Sequence, residues 1–261
     1  MLRAAVRRRA QRGVAIGPRE FYSEIPSTPD RAIELARVGS EEGTRAATRT
    51  QSAGRGRLDH SWVPPTGSLY LSIVLRSGEV PSGLLALLLG ARLGRALSDR
   101  YGVPLRVKWP NDLLTSRPGE PARKLSGILL DRVEGPPAGA TVVAGIGVNV
   151  APSRDRFPPD VRSLVAALDQ FVAPPPSLDD VEELVVAAAL AAARSARDPA
   201  QSARGLAECR AALFGIGRRA WVDGVPRGRI RGLADDGALL LEDGPDLVSI
   251  RAGDLRVEET A

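Results

Sequence analysis

The chain has 261 residues, a formal net charge of +5 at pH 7, 43% hydrophobic and 26% charged residues, a composition typical of a globular protein of one or two domains. Its single cysteine, Cys209, and single histidine, His60, exclude an intrachain disulfide and a zinc cluster of cysteine and histidine ligands. The longest apolar stretch, 83–97, contains Arg92 and is too short to cross a bilayer. We therefore expect no membrane association and a cytoplasmic location.

The N-terminal elements are a leader, a strand, a helix and a loop. Residues 1–20 are basic and lack an apolar run, so we expect a disordered leader. A short strand at 21–25 precedes a helix that continues to about residue 38, with Thr28 as the N-cap and Pro29 at the first helical position. A Gly-rich polar loop, 51–67, follows the helix.

The middle of the chain alternates strands with helices. A buried strand is predicted at 68–75 and a helix at 83–101, with Gly102 as its stop. The further strands are predicted at 105–109, 124–134 and 140–150, the last two joined by a hairpin at 135–139. The further helices are predicted at 161–172, 180–197 and 203–214.

After Gly215 the pattern changes to short strands separated by Gly and Asp turns. These strands are predicted at 220–223, 227–233, 238–241 and 247–251. Such spacing is typical of a small β-barrel. We therefore predict an α+β protein with one larger domain at 21–214 and a small all-β domain at 215–261.

The loop sequence QSAGRGRLDHSW, 51–62, combines backbone freedom with positive charge. Gly54 and Gly56 let the backbone approach a ligand closely, and Arg55 and Arg57 present guanidinium forks suited to carboxylate or phosphate. A flexible linker in an arginine-rich chain would look the same.

The chain has 36 Lys plus Arg residues, and its only two lysines, Lys108 and Lys124, lie in the stretch KWPNDLLTSRPGEPARKLSGILLD. A position that keeps lysine in such a chain is a candidate for needing an ammonium group. Asp112, after the first strand of this stretch, is either a plain turn residue or a Mg²⁺ ligand. Gly127 interrupts an apolar strand, which indicates close approach of a ligand or another backbone.

Neither of the two common nucleotide-binding fingerprints is present. The phosphate-loop pattern GxxxxGK[ST] does not occur, and Gly145 and Gly147 are followed by Val150 where a dinucleotide fold has its third glycine. A nucleotide would have to bind outside those two folds.

The GRGR loop, SLYLS, KWPND, KLSGIL and GIGVNV occur in an order and spacing that resemble the biotin protein ligases, over about residues 23–150. The resemblance implies a mixed or antiparallel sheet flanked by helices, with a C-terminal SH3-like β-barrel. It also implies activation of biotin with ATP as biotinyl-5′-AMP, release of pyrophosphate, and transfer of biotin to a lysine of a biotin carboxyl carrier domain. ATP and Mg²⁺ would be co-substrates, and no tightly bound prosthetic group is expected.

The same resemblance implies roles for individual residues. The catalytic residues would be Lys124, Arg55 and Arg57. The biotin-binding residues would be Ser27, Thr28, Pro29, Gln51, Arg55, Gly56, Arg57, Lys124 and Gly127. The residues that bind ATP or the adenylate would be Arg57, Trp62, Asn111, Lys124 and Asn149, and Asp112 would hold Mg²⁺.

Structural alternatives remain open for several of these residues. Ser27 and Thr28 could simply cap the helix, and Gln51 could be a plain loop amide. Trp62 could anchor the loop, and Asn149 could form a strand-end turn. The sequence also departs from the family pattern, because Pro29 stands where the family usually has Asn and 58–61 replaces a more basic, glycine-containing stretch.

Rival functions are also considered. A lipoate or octanoate ligase has the same fold, but the GRGR loop and KWPND favour the biotin branch. A DNA-binding repressor is disfavoured because only about 20 residues precede the first strand, too few for a helix-turn-helix unit, so we expect no specific DNA binding. An RNA-binding module that depends on basic charge alone would show steep salt dependence. Whether the protein is a homodimer is left open.

Overall fold

The computed structural model describes residues 16–55, 61–62, 66–134, 141–153, 155, 157 and 159–258, with Arg55, Ser61, Trp62 and Asp160 described by their backbone only. The leader predicted at 1–20 and the hairpin predicted at 135–139 therefore lie wholly or largely outside the described residues. None of the helices in the described part of the chain is long and apolar enough to cross a membrane.

The described residues before position 150 form nine strands, and seven of these strands form one sheet. The nine are β1 (Arg19–Tyr22), β2 (Arg45–Thr48), β3 (Gly54–Arg55), β4 (Ser61–Trp62), β5 (Leu69–Arg76), β6 (Leu105–Lys108), β7 (Asp112–Thr115), β8 (Arg123–Val133) and β9 (Thr141–Val148). The sheet has the order β1-β2-β5-β9-β8-β7-β6, while β3 and β4 pair as a separate hairpin. Only β1 and β2 run parallel, so the sheet is mixed, as predicted.

Helices cover both faces of this sheet. The five α-helices of the described residues are α1 (Thr28–Arg37), α2 (Ser82–Tyr101), α3 (Pro159–Arg162), α4 (Leu178–Ala196) and α5 (Pro199–Ala212). One face packs on α2 and α4, which share the main hydrophobic core with Leu71 and Ile73 of β5. The other face packs on α1, whose Ala32 and Ala36 contact Val74. Because both faces of β5 are buried, its sequence is apolar almost throughout.

Two predictions near helix ends have different outcomes. The stop at Gly102 is confirmed, because this residue ends α2 in the left-handed conformation with φ of +69°. Thr28 as the N-cap is wrong, since Ser27 caps α1 and its hydroxyl accepts a hydrogen bond from the Asp30 amide at 3.3 Å. The side chain of Thr28 instead makes tertiary hydrogen bonds.

The helix predicted at 161–172 is also wrong. The segment contains the end of the short α3, a bridge between Val165 and Lys124, and a 3-10 helix at Leu168–Gln170. The backbone of Leu164 and Ala166 pairs with that of Lys124, at N···O distances of 2.8 Å. This tertiary pairing removes the backbone groups that a continuous helix would need.

The C-terminal part forms a second, wholly antiparallel sheet. Its strands are β10 (Arg219–Val222), β11 (Val225–Leu233), β12 (Leu239–Asp243), β13 (Asp246–Ile250) and β14 (Leu255–Val257), in the order β13-β12-β11-β10-β14. This arrangement confirms the predicted small SH3-like unit beside an α+β sheet. The boundary at 215 stays a prediction.

Candidate functional site

Glycines leave a bare strip of backbone in the middle of the seven-stranded sheet. Tyr70 of β5 pairs with Gly147 of β9, which pairs with Gly127 of β8, which pairs with Asp112 of β7. Directly paired residues share one face of a sheet, and two residues along β9 Gly145 lies on that face too. We call Gly127, Gly145 and Gly147 the glycine trough.

A polar wall closes one side of the trough. The N-terminus of α1 lies over β9, so that a Cβ on Gly145 would be 3.2 Å from Cγ of Pro29. The Ser72 hydroxyl donates to Thr28 Oγ1 at 3.0 Å, and both the hydroxyl and the amide of Thr28 donate to Gln51 Oε1, at 3.1 and 2.8 Å. The wall therefore consists of Thr28, Gln51 and Ser72, all of which are buried.

The side chain of Gln51 faces Thr28 with its oxygen. Its oxygen accepts from two groups of Thr28, so its amide nitrogen points elsewhere, and among the described residues no acceptor contacts that nitrogen. A carboxamide N–H₂ carries two donors. A polar acceptor in the trough would satisfy them.

Lys124 lies on the other side of the trough because of an irregularity in β8. Leu113 pairs with Ser126 while Leu114 pairs with Lys124, which makes Leu125 an extra residue in the strand. Strict alternation would place Lys124 and Gly127 on opposite faces, but a bulge re-aims the side chains on one side of it. The Lys124 amine in consequence lies 3.0 Å from where a Cβ of Gly127 would be.

Asp112 holds the lysine in this position. Asp112 Oδ1 is 2.7 Å from Lys124 Nζ, and the two side chains are 17% and 31% exposed. The ion pair is thus partly accessible, and the ammonium faces the trough. An anionic ligand placed on Gly127 would meet Lys124 directly.

Two asparagines support the backbone around the pair. The side-chain amide of Asn149 donates to Ala166 O at 3.0 Å and to Lys124 O at 3.4 Å, and Asn149 is buried. The Asn111 amide donates to Ile128 O at 2.6 Å. These contacts show a positioning role for both residues, and their predicted contacts with an adenylate stay predictions.

The Gly-rich loop starts at the polar wall. Ser52 N donates to Ile25 O at 3.2 Å and Ala53 N to Pro26 O at 2.9 Å, which ties the loop to the segment before α1. Gly54 then pairs with Trp62 in the β3–β4 hairpin. Gly56 and Arg57 lie outside the described residues, and the predicted roles of the Arg55 and Trp62 side chains stay predictions.

The structure thus brings Ser27, Thr28, Pro29, Gln51, Lys124, Gly127 and Asp112 to one face of the sheet. The sequence reasoning missed Tyr70, Ser72, Gly145 and Gly147 as part of the site. A signal was present, because small and polar residues alternate with apolar ones in SLYLS and in GIGVNV. No group of three or more His, Cys, Asp and Glu side chains that could hold a metal occurs in the described ranges.

Comparison with known proteins agrees with this arrangement. The model of the biotin/lipoate A/B protein ligase family matches residues 25–149, the part of the chain that contains the trough, the wall and the Lys124–Asp112 pair. Over these residues, slightly less than half of the chain, the sequence is similar to this family, and a relative 34% identical in sequence is a biotin–[acetyl-CoA-carboxylase] ligase.

Individual relatives span most or part of the chain. The bifunctional ligase/repressor BirA of Bacillus spizizenii is 27% identical over 248 residues, which cover 91% of this chain and 73% of the relative. The biotin–[acetyl-CoA-carboxylase] ligase of Paracoccus denitrificans is 34% identical over 139 residues, 52% of this chain and 55% of the relative. The structure of the biotin protein ligase from Aquifex aeolicus in complex with biotin and ATP has a TM-score of 0.77 at 22% identity and covers 93% of this chain and 99% of that one.

Proposed function

We propose that this protein is an ATP-dependent biotin–[biotin carboxyl carrier protein] ligase. A biotin carboxylate oxygen attacks the α-phosphorus of ATP, which releases pyrophosphate and forms biotinyl-5′-AMP. The amine of a carrier lysine then attacks the acyl carbon, loses a proton and displaces AMP. The observation that carries the proposal is the glycine trough, with a hydrogen-bonding wall on one side and a lysine ammonium on the other.

The trough suits a long ligand with a polar head and a carboxylate end. The wall residue Ser72 is on β5 and Lys124 is on β8, two strand spacings away, which is about 10 Å. A ureido head would fit the wall because it offers an acceptor to the Gln51 amide and donors to hydroxyl oxygens of the wall. The carboxylate end would then lie toward Lys124.

The first step needs positive charge because it brings a carboxylate against a triphosphate. Two like unit charges 4 Å apart repel by roughly 4 kcal/mol at an effective dielectric constant of 20. Lys124 supplies a cation next to the trough, and the predicted roles of Arg55 and Arg57 would supply two more. Charge that develops on the α-phosphoryl oxygens is stabilised by such fixed cations.

Mg²⁺ would bind together with ATP. Magnesium is commonly bound through one or two carboxylates together with substrate phosphates, and Asp112 is a partly exposed carboxylate at the trough. The ion would neutralise part of the phosphate charge there. Binding of phosphates near Lys124 would at the same time free Asp112 from its ion pair.

The deciding experiment is to incubate the protein with a carrier domain, biotin and Mg-ATP and to weigh the carrier by mass spectrometry. We expect a mass gain equal to biotin minus water, and none without ATP. Lipoate and octanoate serve as matched alternative acids. If the carrier gains lipoate or octanoate and not biotin, the assignment to biotin is wrong.

Specific DNA binding is not part of the proposal. Some relatives are described as bifunctional ligase/repressors, so a footprint on operator DNA at moderate salt, with and without biotinyl-AMP, is the relevant measurement. We expect no sequence-specific protection. The oligomeric state can be read from sedimentation in the same buffers.

A further inference from the structure

The C-terminal sheet is attached next to the candidate site, at Trp109. This residue of the KWPND motif directly follows β6 and is 2% exposed. Its indole Nε1 donates to the backbone oxygen of Gly237 at 3.1 Å. Gly237 belongs to the turn between β11 and β12 of the C-terminal sheet, so the bond joins this turn to the turn that follows β6.

The turn that presents this oxygen is itself fixed. Gly237 N donates to Ala234 O at 3.0 Å, and the Asp236 carboxylate accepts from Ala238 N at 3.1 Å. Gly237 has φ of +84°, and a Cβ on it would be 3.0 Å from Cα of Leu84 in the first turn of α2. The turn therefore packs against helix backbone and has no room to move toward it.

A second contact fixes β6, the strand that precedes Trp109, along its outer edge. β6 is the last strand of the seven-stranded sheet, and its Val107 O accepts from Phe214 N at 2.8 Å, beside a parallel bridge between Val107 and Leu213. Arg210 Nε also donates to Leu233 O at 2.9 Å. The segment that leads into the C-terminal sheet is thus attached to β6 two residues before Trp109.

From Trp109 the connection to Lys124 is short. Residues 109–112 turn β6 into β7, where Lys108 pairs with Asp112. Asp112 then holds the Lys124 amine at 2.7 Å over Gly127. A shift of Trp109 would move the turn, and a shift of the turn would move the carboxylate that places the ammonium.

We propose that the C-terminal sheet is a positioning element for the reacting end of the trough, and that Gly237 and Trp109 are positioning residues that act through Asp112 on Lys124. This rests on the proposed function, in which Lys124 offsets charge between a carboxylate and an α-phosphate. The polar wall has no part in the connection, because it stands on α1, β5 and the loop at 51. The C-terminal sheet therefore affects the chemical step more than the binding of the ligand head.

The test compares Trp109→Phe with Trp221→Phe. The first keeps a buried aromatic ring but removes the indole N–H together with part of the fused ring system. The second removes an indole that stacks on Arg256 at 4.3 Å, away from β6. We expect Trp109→Phe to lower the rate of biotin-dependent pyrophosphate release by about 10- to 100-fold, the size of effect of a small misplacement, with the KM for biotin nearly unchanged. Trp221→Phe should match the wild type.

A second measurement does not depend on ligase activity. The chain has only two lysines, so acetylation with acetic anhydride followed by peptide mass spectrometry reports Lys124 separately from Lys108. Loss of a partly exposed ion pair should raise the labelling rate of Lys124 about threefold in Trp109→Phe. Asp112→Asn is the positive control. If Trp109→Phe does not melt as a native protein, Asp236→Ala takes its place: it loosens the turn at a partly exposed position and should raise the labelling rate of Lys124 in the same way.

These outcomes distinguish a failure of the proposed coupling between Trp109 and Lys124 from a failure of the proposed ligase function. Equal Lys124 labelling in wild type, Trp109→Phe and Asp236→Ala would overturn the coupling, whatever the protein ligates. Kinetic effects of Trp109→Phe and Asp112→Asn that multiply in the double variant would also overturn it, because residues acting through one another are not additive. A wild-type protein that forms no biotinyl-AMP, together with enhanced labelling in Trp109→Phe, would refute the proposed function and leave the coupling in place.

Discussion

At the scale of single residues, the position of the Lys124 amine depends on the absence of a side chain at Gly127. The lysine amine occupies space that any side chain at position 127 would need, since a Cβ there would lie 2.9 Å from Lys124 Cε and 3.0 Å from Nζ. The position of the ammonium is thus set by a missing side chain and by the Asp112 carboxylate. Two predictions concern this pair.

Lys124→Arg should fold normally and lose activity, although arginine is the usual cation of this chain. The guanidinium is planar and bulkier than an ammonium and favours a bidentate geometry, which the space over Gly127 does not offer. We expect adenylate formation, measured as pyrophosphate release, to fall by about 10² to 10³, the range for loss of one preorganised charge contact. Lys108→Arg is the matched control and should be milder. A Lys124→Arg variant as active as the wild type would mean that lysine survived there by chance.

Gly127→Ala should affect the rate of adenylate formation rather than the binding of biotin. The added Cβ meets the mobile end of Lys124, which can swing away, so the melting temperature should change little while pyrophosphate release falls by about 10-fold or more. Gly147→Ala is the control, because its Cβ would meet the Tyr70 ring at 3.8 Å, an ordinary contact, and leave the lysine in place. It should instead raise the KM for biotin by filling the trough. Identical kinetic changes in the two variants would contradict these separate roles.

At the scale of secondary-structure elements, local sequence patterns predicted most of the strands and helices but not the site geometry. The apolar run of β5 and the stop of α2 at Gly102 are local features, so they could be found. The bulge at Leu125 could not, because its effect depends on pairing with β7. It is nevertheless the feature that places Lys124 on the same face as Gly127.

Longer-range pairing explains the helix wrongly predicted at 161–172. Its residues have an acceptable helical pattern, but Leu164 and Ala166 bond to the backbone of Lys124, which lies far away in sequence. Residue types and motif order predicted Thr28, Gln51 and Lys124 as site residues; the structure brings them to one face of the sheet, and their roles stay predictions. Their mutual arrangement required the sheet register.

The helix that carries part of the polar wall is tied to β1 by a charged cluster. Arg31 of α1 donates to both carboxylate oxygens of Glu20, at 2.8 and 3.0 Å, and Tyr22 OH donates to the same carboxylate. The hydrogen bond from Arg31 holds the pKa of Glu20 below its ordinary value. A lowered pKa in the folded state means that Glu20 stabilises the fold above its unfolded pKa, and that this contribution disappears as the pH falls through the folded pKa.

Glu20→Gln should therefore lower the melting temperature near neutral pH, and the difference from the wild type should shrink as the pH falls below the ordinary pKa of a glutamic acid and through the lower folded pKa of Glu20. Thermal melts of both proteins across this range measure the difference. Glu24→Gln is the matched control, since Glu24 is exposed and makes no ion pair among the described residues. A Glu20→Gln difference that does not shrink as the pH is lowered below the ordinary pKa of a glutamic acid would show that the carboxylate charge is not what holds α1.

At the scale of the whole molecule, the sequence change after Gly215 suggested a separate domain, but the packing joins the two parts. The inward side chains of the C-terminal sheet belong to the same hydrophobic cluster as α2 and the seven-stranded sheet. The link between Trp109 and Gly237 spans 128 residues, so no local pattern could reveal it. KWPND identified Trp109 as part of a motif without showing what it contacts.

This shared core predicts that the protein unfolds in one step. The test is urea unfolding of a Trp221→Phe variant, which retains Trp109 at the junction. The midpoint from far-UV circular dichroism should coincide with the midpoint from tryptophan fluorescence, because in a two-state transition all structural signals change together. A chain cut after residue 214 would expose Trp109 and the core face of α2 that the turn at Gly237 covers, so we expect it to melt without a sharp transition. Two separated urea transitions in the full chain, or a truncated chain that unfolds cooperatively at the wild-type midpoint, would instead establish 215–261 as an independent domain and would weaken the case for a sheet that positions Lys124 from a distance.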